Sequence, residues 1–293
     1  MRTTFCLFLF AITVNIYGQD IRTLDSLSKV LEKIYYQDQI PRQQLAPLEK
    51  EFGYSSVEVN KQWELINKND SVNTIIVSKI IDKYGWLGTD KISDTANRTI
   101  FLVIQHADEK TQLKYLDTLK KAAKAGKTKP SDYSLLLDRT NLKQGKFQEY
   151  GSQLFTFGVS GHTVFSPIRD EPNVNKRRQA VGLSSLEEYS KFFNVPYTLP
   201  KRDAYKNCYV LTGYVLGVGN IPLQNVSIYK GKKLKTKTDE YGFYIIAINR
   251  KIKSSKINYC KDGYTDAVYT LEKEGEKDIY EKYIGLIEKK ACP

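Results

Sequence analysis

The sequence is poor in the side chains that most often carry metal or nucleophilic chemistry. Its 293 residues include only two histidines, His106 and His162, and four cysteines. The histidines are far apart in the chain, no two cysteines have CxxC spacing, and no GxSxG elbow occurs. Zinc sites, thiol redox centres and serine hydrolases usually show one of these patterns. We therefore predict neither a metal site nor a cofactor from the sequence.

Long apolar runs are also missing from the sequence. An apolar stretch at residues 5–16 follows Arg2 and precedes the small residue Gly18. This stretch is shorter than the roughly 20 residues that span a bilayer, and it is typical of a cleaved signal peptide. We predict a signal peptide over residues 1–18, and the alternative is a short buried helix. We expect an exported protein, which is periplasmic, associated with the outer surface or secreted, with no transmembrane segment in the mature chain.

Acidic residues are outnumbered by basic ones, with 33 Asp and Glu against 45 Lys and Arg and a formal net charge of +12. Such an excess accompanies nucleic-acid binding in many proteins. An exported protein rarely meets nucleic acid, however, and the lysines are scattered without a regular array of stacking aromatics. We interpret them as solvated basic surfaces, or as contacts to anionic polymers or lipid headgroups of the cell envelope. We predict no nucleic-acid partner.

Three cysteines follow the predicted signal peptide: Cys208, Cys260 and Cys292. An oxidising compartment permits a disulfide. Cys208 and Cys260 both lie in a segment with strand patterns, so we predict that these two form the pair. Cys292 would then remain a free thiol.

Helical periodicity dominates the first half of the chain. It predicts a helix over residues 22–39 that Pro41 ends, and a longer one over 57–83 with room for a break near 69–71. A third helix is expected from Ser93 or Asp94 to residue 107. Further helices are predicted over 108–126, with Asp108 at the start, and over 130–145.

The pattern changes after residue 146. Alternation with central glycines predicts a β-hairpin at 147–168, and two short helices follow. From residue 208, short alternating segments separated by turn signals favour a β-sandwich. We therefore predict an α+β multidomain protein. A mainly α-helical domain with a β-hairpin (20–193) precedes a linker (194–207) and an all-β, transthyretin-like sandwich (208–290).

The sandwich prediction also follows from a resemblance. Residues 208–271 contain "LTGYVLGVGNIPLQNVSIY", "TKTDEYGFYIIAI" and "KDGYTD". In the second segment Asp239 and Gly242 suit a hairpin turn that returns Phe243 to the core. These segments resemble the carboxypeptidase regulatory-like domain, a small transthyretin-like sandwich. The resemblance implies an accessory module without catalytic residues of its own.

A second resemblance covers residues 24–189. The segments that carry it are "DQIPR", "NDSVN", "YGWLG", "VIQHADEK", "LLLDRTN", "YGSQLF", "SPIRDEPNV" and "KRRQAVGLSSLEEY". They resemble an uncharacterised bacterial family of unknown function, with Leu87 in place of its usual proline, Ser152 in place of threonine, and Ser184 and Ser185 in place of two prolines. The resemblance implies a fold and a candidate site, but no reaction.

Two interpretations of His106 stay open. In the first, His106 at the end of its helix belongs to a buried polar network that specifies the fold. In the second, the same network lines a cleft in which His106 is a general acid/base, with Asp108 as a candidate acidic partner. Arg139 or Arg178 would hold an anion. The candidate ligand-binding residues are Trp86, Gln105, Arg139, Tyr150, Gln153 and Arg178.

Three functions are therefore compatible with the sequence. The preferred one is an exported cell-envelope protein that binds a peptide, a glycan or a protein partner. The alternatives are a hydrolase-like enzyme that uses His106, and a purely structural interaction protein. Whether the protein is an enzyme is left open by the sequence.

Overall fold

The computed structural model describes residues 24–157 and 161–289. The predicted signal peptide and Cys292 lie outside these residues. The first part of the chain is helical. Its helices are α1 (Leu24–Gln43), α2 (Leu45–Phe52), α3 (Val57–Tyr84), α4 (Asp94–His106), α5 (Glu109–Lys124) and α6 (Pro130–Lys143). Within the described residues, no helix is both long and apolar enough to span a membrane.

Local capping explains where several of these helices begin. Ser93 Oγ accepts a hydrogen bond from the Ala96 N–H at 3.2 Å, and Asp108 Oδ1 accepts one from the Thr111 N–H at 2.8 Å. Such caps satisfy N–H groups that have no partner inside the helix. The predicted starts of α4 and α5 are confirmed. The helix α3 is continuous through residues 69–71, where a break had been allowed.

The prediction that Pro41 ends the first helix is wrong, because α1 continues to Gln43 with Pro41 inside it. Proline has no N–H, so the carbonyl of Gln37, one turn earlier, loses its helical donor. Asn69 on α3 replaces that donor, since its Nδ2 donates to the Gln37 carbonyl at 2.9 Å. Gln62 Nε2 also donates to the carbonyl of Pro41 at 2.6 Å. α3 therefore stabilises α1 at the proline, and the short helix α2, which was not predicted, follows.

The core of the helical part comes from the apolar faces of α1, α3, α4, α5 and α6. Buried residues of this cluster include Leu31, Val77, Ile100, Ile104 and Leu119, each almost fully removed from solvent. Burial of apolar surface on this scale is the main stabilising contribution to such a bundle. It also fixes the ends of α1 and α4 relative to α3.

A hairpin and two short helices complete the first part. β1 (Leu154–Phe157) pairs antiparallel with β2 (His162–Phe165), which confirms the predicted hairpin. The helices are α7 (Val174–Ala180) and α8 (Leu186–Lys191). Ser185 and Glu188 form a capping box at the start of α8.

The second part of the chain is rich in β-strands. They are β3 (Cys208–Leu216), β4 (Ser227–Lys230), β5 (Lys233–Lys237), β6 (Phe243–Asn249), β7 (Ser254–Cys260), β8 (Ala267–Glu272), β9 (Ile279–Glu281) and β10 (Ile284–Gly285). One sheet has β3 between β6 and the parallel strands β9 and β10, and the other has the order β5-β4-β7-β8. Side chains from both sheets form one core, in which the Tyr259 hydroxyl donates to the Tyr244 hydroxyl at 3.0 Å.

Two expectations for this part are wrong. The turn at Asp239 and Gly242 does not make a β5–β6 hairpin, because β5 pairs in one sheet and β6 in the other. Asp239 Oδ1 nevertheless accepts from the N–H of Phe243 at 2.9 Å, and Gly242 takes the expected positive φ of 73°. The predicted disulfide is absent: Cys208 and Cys260 are both free thiols, on strands of different sheets.

The hairpin packs against the β-rich part. Phe157 stacks on Tyr214 with ring centroids 3.9 Å apart, and His162 stacks on Tyr241 at 4.2 Å. A buried carboxylate, Asp278, also connects the two parts, since its Oδ2 accepts from Arg169 Nη2 at 3.0 Å. The second histidine of the sequence therefore lies at this contact and not beside His106.

Candidate functional site

His106 ends α4 and lies among three charged side chains from α1 and α3. Its Nδ1 is 3.0 Å from Asp38 Oδ1 and 3.1 Å from Arg42 Nε. Arg42 Nη2 donates to both carboxylate oxygens of Asp70, at 2.7 and 2.8 Å. We call Asp38, Arg42, Asp70 and His106 the His106 cluster. Three separate helices therefore bring these four side chains together.

The two carboxylates of the His106 cluster differ in environment. The Asp38 side chain is 1% exposed, and that of Asp70 is 17% exposed. Burial opposes ionisation of Asp38, but the hydrogen bond and charge of His106 and the charge of Arg42 outweigh it, so the pKa of Asp38 is lowered. Burial raises the pKa of Asp70, and the nearby Arg42 only partly offsets that. Negative charge in the cluster is therefore held most firmly by Asp38.

Hydrogen bonding in and beside this cluster is incomplete. Arg42 Nη1 and Asn73 Nδ2 are buried, and neither has a hydrogen-bond partner among the described residues. Asn73 follows Asp70 by one turn on the same face of α3. Buried donors without an acceptor are uncommon in folded proteins and are costly, at about 1–3 kcal/mol each.

A separate cavity of about 410 Å³ opens between α4, α6, the hairpin and α8. We call it the Arg139 cleft. Residues that line it include Arg98, Gln105, Arg139, Gln153, Tyr189 and Phe193. His106 is not among the lining residues, although its neighbour Gln105 is. The cleft therefore combines polar groups with an aromatic wall, as small-molecule sites usually do.

Arg139 is the main cation of this cleft. Its Nη1 donates to the Gln105 carbonyl at 2.7 Å, and its Nε donates to Gln153 Oε1 at 3.1 Å. No carboxylate of the described residues lies within ion-pair distance of Arg139, whereas Arg98 pairs with Asp132 at 2.5 Å. Burial lowers the pKa of Arg139, and the charge of Arg42 lowers it further. Arg139 is therefore a desolvated positive charge held only by neutral groups.

The loop that carries Gln153 is held by a buried carboxylate. Asp138 is fully buried and accepts from the backbone N–H of Glu149 at 2.6 Å and of Ser152 at 3.0 Å, and it also accepts from Tyr150. Burial raises the pKa of Asp138, and these N–H groups oppose that effect. Gly151 has a φ of 64°, and an added Cβ would lie 2.8 Å from Ile168 Cδ1. The loop therefore needs both the aspartate and the glycine.

Two predicted ligand-binding residues contribute to the shape of this loop. Arg178 is 1% exposed, and it donates to the carbonyls of Tyr150 at 2.7 Å and Ser184 at 2.6 Å. Burial lowers its pKa. Tyr150 thus meets Arg178 through its backbone. Neither residue is among those that line the Arg139 cleft.

The remaining predicted residues lie elsewhere. Trp86 is 3% exposed in the helical core, and its Nε1 has no hydrogen-bond partner among the described residues. Asp108 is the N-cap of α5, and the backbone N–H of Thr111 lowers its pKa. The ring of His106 contacts Asp38 and Arg42 but not Asp108.

The structure therefore divides the predicted site in two. Gln105, Arg139 and Gln153 come together in the Arg139 cleft, and His106 belongs to a cluster of its own. Sequence reasoning did not identify Arg42 and Asp70 as neighbours of His106. The segments "DQIPR" and "NDSVN", quoted for the resemblance, contain Asp38, Arg42 and Asp70, but nothing in their spacing placed them beside a histidine 36 to 68 residues away.

Comparison with known proteins identifies a family but no activity. Residues 26–202 match a family described as "Family of unknown function (DUF6624)". No curated protein matches the sequence.

Three solved structures illustrate the similarity to known folds. A protein of unknown function from Bacteroides fragilis NCTC 9343 is 14% identical, with 29% of each chain covered and a TM-score of 0.24. The Bacillus anthracis TIE protein is 19% identical over 28% of this chain and 17% of its own, with a TM-score of 0.22. The C-terminal domain of the Caf1A usher is 13% identical over 27% of this chain and 97% of its own, with a TM-score of 0.21. The chain spans less than a third of the length of the first two proteins, and scores this low support no functional argument.

Proposed function

We propose that the helical part of this protein is a ligand-binding domain of an exported cell-envelope protein. The chain belongs to the family of unknown function DUF6624, and that family supplies no activity. The ligand is a peptide or glycan that carries a carboxylate, and it binds in the Arg139 cleft. One observation carries the proposal: a desolvated arginine with no carboxylate partner among the described residues lines a cavity of about 410 Å³.

The free hydrogen-bonding capacity of Arg139 supports a carboxylate ligand. A guanidinium has five N–H groups, and Arg139 uses one on Nη1 and the one on Nε for the Gln105 carbonyl and Gln153. The remaining N–H groups match the two oxygens of a carboxylate. Because Arg139 is partly removed from water, such an ion pair is stronger there than on an exposed surface.

The size and the walls of the cleft support a short ligand. A volume of about 410 Å³ lies within the usual range for small-molecule sites. Tyr189 and Phe193 provide aromatic surface, and the Phe193 side chain is 43% exposed. Aromatic rings pack on both peptide side chains and sugar rings. A dipeptide or a single acidic sugar is of the appropriate size.

Sequence features support export and an accessory role for the second part. The apolar stretch at residues 5–16 is typical of a signal peptide. Two packed sheets with a common core are compatible with the transthyretin-like sandwich that the sequence resembles. In this proposal the sandwich is a non-catalytic module, as the carboxypeptidase regulatory-like resemblance implies.

A hydrolase-like function for His106 is the second candidate. The observation in its favour is the 3.0 Å contact between His106 Nδ1 and Asp38 Oδ1, which is the geometry of a carboxylate that orients a general base. Asp38 would then replace Asp108 as the acidic partner. The third candidate, a purely structural interaction protein, predicts that no small ligand binds.

Calorimetric titration tests the proposed ligand class. The probes are N-acetyl-alanyl-alanine with a free carboxylate, the same dipeptide as its C-terminal amide, and glucuronate. We expect the free acid or glucuronate to bind and the amide to bind at least about tenfold more weakly, since it lacks the charge that pairs with Arg139.

A matched pair of variants locates the site. Arg139→Gln should lose binding of the acid, whereas Arg202→Gln should retain it, because Arg202 is exposed and does not line the cleft. Equal losses in both variants would point to a non-specific charge effect. No binding of either acidic probe would favour the structural candidate.

A further inference from the structure

We propose that Asp38, Asp70 and His106 form a binding site for one divalent transition-metal ion, Zn²⁺ or Mn²⁺. Arg42 competes with the ion for these side chains. This site lies beyond the proposed ligand cleft and does not depend on it. Its residues come from α1, α3 and α4, and none of them lines the Arg139 cleft.

The positions of the ligand atoms carry the proposal. One oxygen from each carboxylate and one nitrogen of His106 all lie within 4.8 Å of one another. Ligands about 2.0–2.2 Å from a tetrahedral zinc ion are roughly 3.4 Å apart. The pair formed by His106 Nδ1 and Asp38 Oδ1, at 3.0 Å, is already close to that separation. In the proposed site, movements of the side chains alone would bring all three atoms to coordination distance.

Hydrogen bonding alone does not satisfy His106 Nδ1. This atom faces an acceptor, Asp38 Oδ1, at 3.0 Å and a donor, Arg42 Nε, at 3.1 Å. A ring nitrogen either carries a proton or presents a lone pair, so it can satisfy only one of these two neighbours. A cation at this position would accept the lone pair of Nδ1 and bind the carboxylate of Asp38 together. Arg42 Nε would then lose its acceptor Nδ1 and have to move away, which is why Arg42 competes with the cation.

The charges of the cluster also favour a cation. Asp38 is the more deeply buried carboxylate, yet its distance to the Arg42 guanidinium is 3.8 Å, whereas Arg42 binds Asp70 at 2.7 Å. Asp38 now contacts His106 Nδ1 at 3.0 Å and accepts from Gln39 Nε2 at 2.6 Å. A divalent ion that contacts both carboxylates would add a positive charge in direct contact with Asp38. Buried carboxylates are typically paired or coordinated to a metal for this reason.

A second, independent observation points to a missing acceptor. The donors Arg42 Nη1 and Asn73 Nδ2 are buried without a partner among the described residues. Three protein ligands leave at least one coordination position for a water molecule or an anion. An oxygen in that position provides the kind of acceptor that these donors lack.

The ligand set selects the type of metal. Calcium and magnesium prefer oxygen ligands, whereas an imidazole together with two carboxylates suits zinc and manganese. The spacing rules used on the sequence predicted no metal site, because they consider ligands that are close in the chain. Here the ligands are 32 to 68 residues apart and meet only through helix packing.

The experiment uses the full chain without a histidine tag, treated with EDTA and then dialysed. Calorimetric titrations with Zn²⁺ and Mn²⁺ should each show one saturable site per chain, and Mg²⁺ and Ca²⁺ at the same concentrations should bind at least about tenfold more weakly. Absence of a saturable zinc or manganese site would overturn the proposal.

The histidine content of the chain gives a test in the unmodified protein. Only two histidines contribute imidazole C–H signals to the NMR spectrum. Substoichiometric Mn²⁺ should broaden the signals of His106 and leave those of His162 sharp. Equal broadening of both histidines would show adventitious binding and would also overturn the proposal. This readout stands even where a variant fails to fold.

Variants separate a metal site from a structural network. Asp70→Asn and His106→Gln should weaken zinc binding by more than about tenfold, and Asp108→Asn, which changes an exposed carboxylate two residues from His106, should not. Arg42→Gln should strengthen zinc binding, because it removes the competitor for the Asp70 oxygens. Unchanged or weaker binding in a folded Arg42→Gln protein contradicts the competition. Arg139 is unchanged in all of these variants. Loss of carboxylate binding in Arg139→Gln therefore tests the ligand cleft, and loss of zinc binding in Asp70→Asn tests the metal site.

Discussion

Asp138 is the position at which one substitution should perturb both stability and the cleft. Its carboxylate is fully buried and receives N–H groups from Glu149, Tyr150 and Ser152. Asp138→Asn keeps the size of the side chain and one acceptor oxygen. The new amide nitrogen would face one of these N–H groups, so a donor meets a donor.

The expected cost follows from these contacts. The substitution removes one hydrogen bond to a charged acceptor, worth about 1.5–3 kcal/mol, and leaves buried donors unsatisfied at about 1–3 kcal/mol. The substitution also removes a buried charge, whose desolvation raises the pKa of Asp138, and this offsets part of the cost. We therefore expect a loss of about 2–4 kcal/mol in the free energy of unfolding. Asp138→Ala leaves all three N–H groups without their acceptor and should cost at least as much.

Urea denaturation followed by circular dichroism measures this loss. The control is Asp108→Asn, which replaces one good N-cap residue with another on the surface and should change stability by less than about 0.5 kcal/mol. Titration with N-acetyl-alanyl-alanine should in addition show weaker binding in Asp138→Asn, because Gln153 on the same loop positions Arg139. A loss below about 1 kcal/mol would refute the account of Asp138 as the residue that holds the loop.

Two further predictions concern α1. Asn69→Ala should cost about 0.5–1 kcal/mol, because the exposed Gln37 carbonyl exchanges its Asn69 donor for water. The cost should shrink in a Pro41→Ala background, where residue 41 can donate to that carbonyl, and a double-mutant cycle by urea denaturation that shows additivity would contradict this. The pKa of Asp38 is lower in the folded protein than in the unfolded chain, where it is about 4, so above that pH the ionised carboxylate stabilises the fold. This stabilisation is lost as the pH falls through the lower pKa of the folded protein. Asp38→Asn should therefore flatten the acid side of the stability curve below about pH 4, and an unchanged slope would count against it.

The helical part was predictable where local chemistry decides the structure. Ser93 and Asp108 act as caps because their side chains accept from N–H groups three residues ahead, a property of the sequence alone. Pro41 shows the limit of local rules. Its disruption of α1 is offset by Asn69, which is 28 residues away and becomes a neighbour only when α1 packs on α3. The short helix α2 also depends on that packing.

The β-rich part shows the same limit at the level of strand pairing. Turn residues at Asp239 and Gly242 were identified correctly, and their hydrogen bonds form as expected. Which strands pair depends on the packing of the whole β-rich part, so the turn joins two sheets instead of closing a hairpin. For the same reason Cys208 and Cys260, both in strand segments, do not meet as a disulfide.

The two candidate sites differ in how many of their residues could be grouped from the sequence. Gln105, Arg139 and Gln153 were grouped by a family resemblance, and they do contact one another. The His106 cluster combines a buried carboxylate, a second carboxylate and an arginine from two helices that precede α4. Charged groups are brought this close only when the helices that carry them are fixed by their apolar faces. The cost of that proximity is visible as a doubly contacted Nδ1 and as buried donors without an acceptor, and it distinguishes the cluster from an ordinary surface ion pair. The proposed cation would bind the lone pair of Nδ1 and the carboxylates, and an oxygen ligand on that cation would supply an acceptor for the donors.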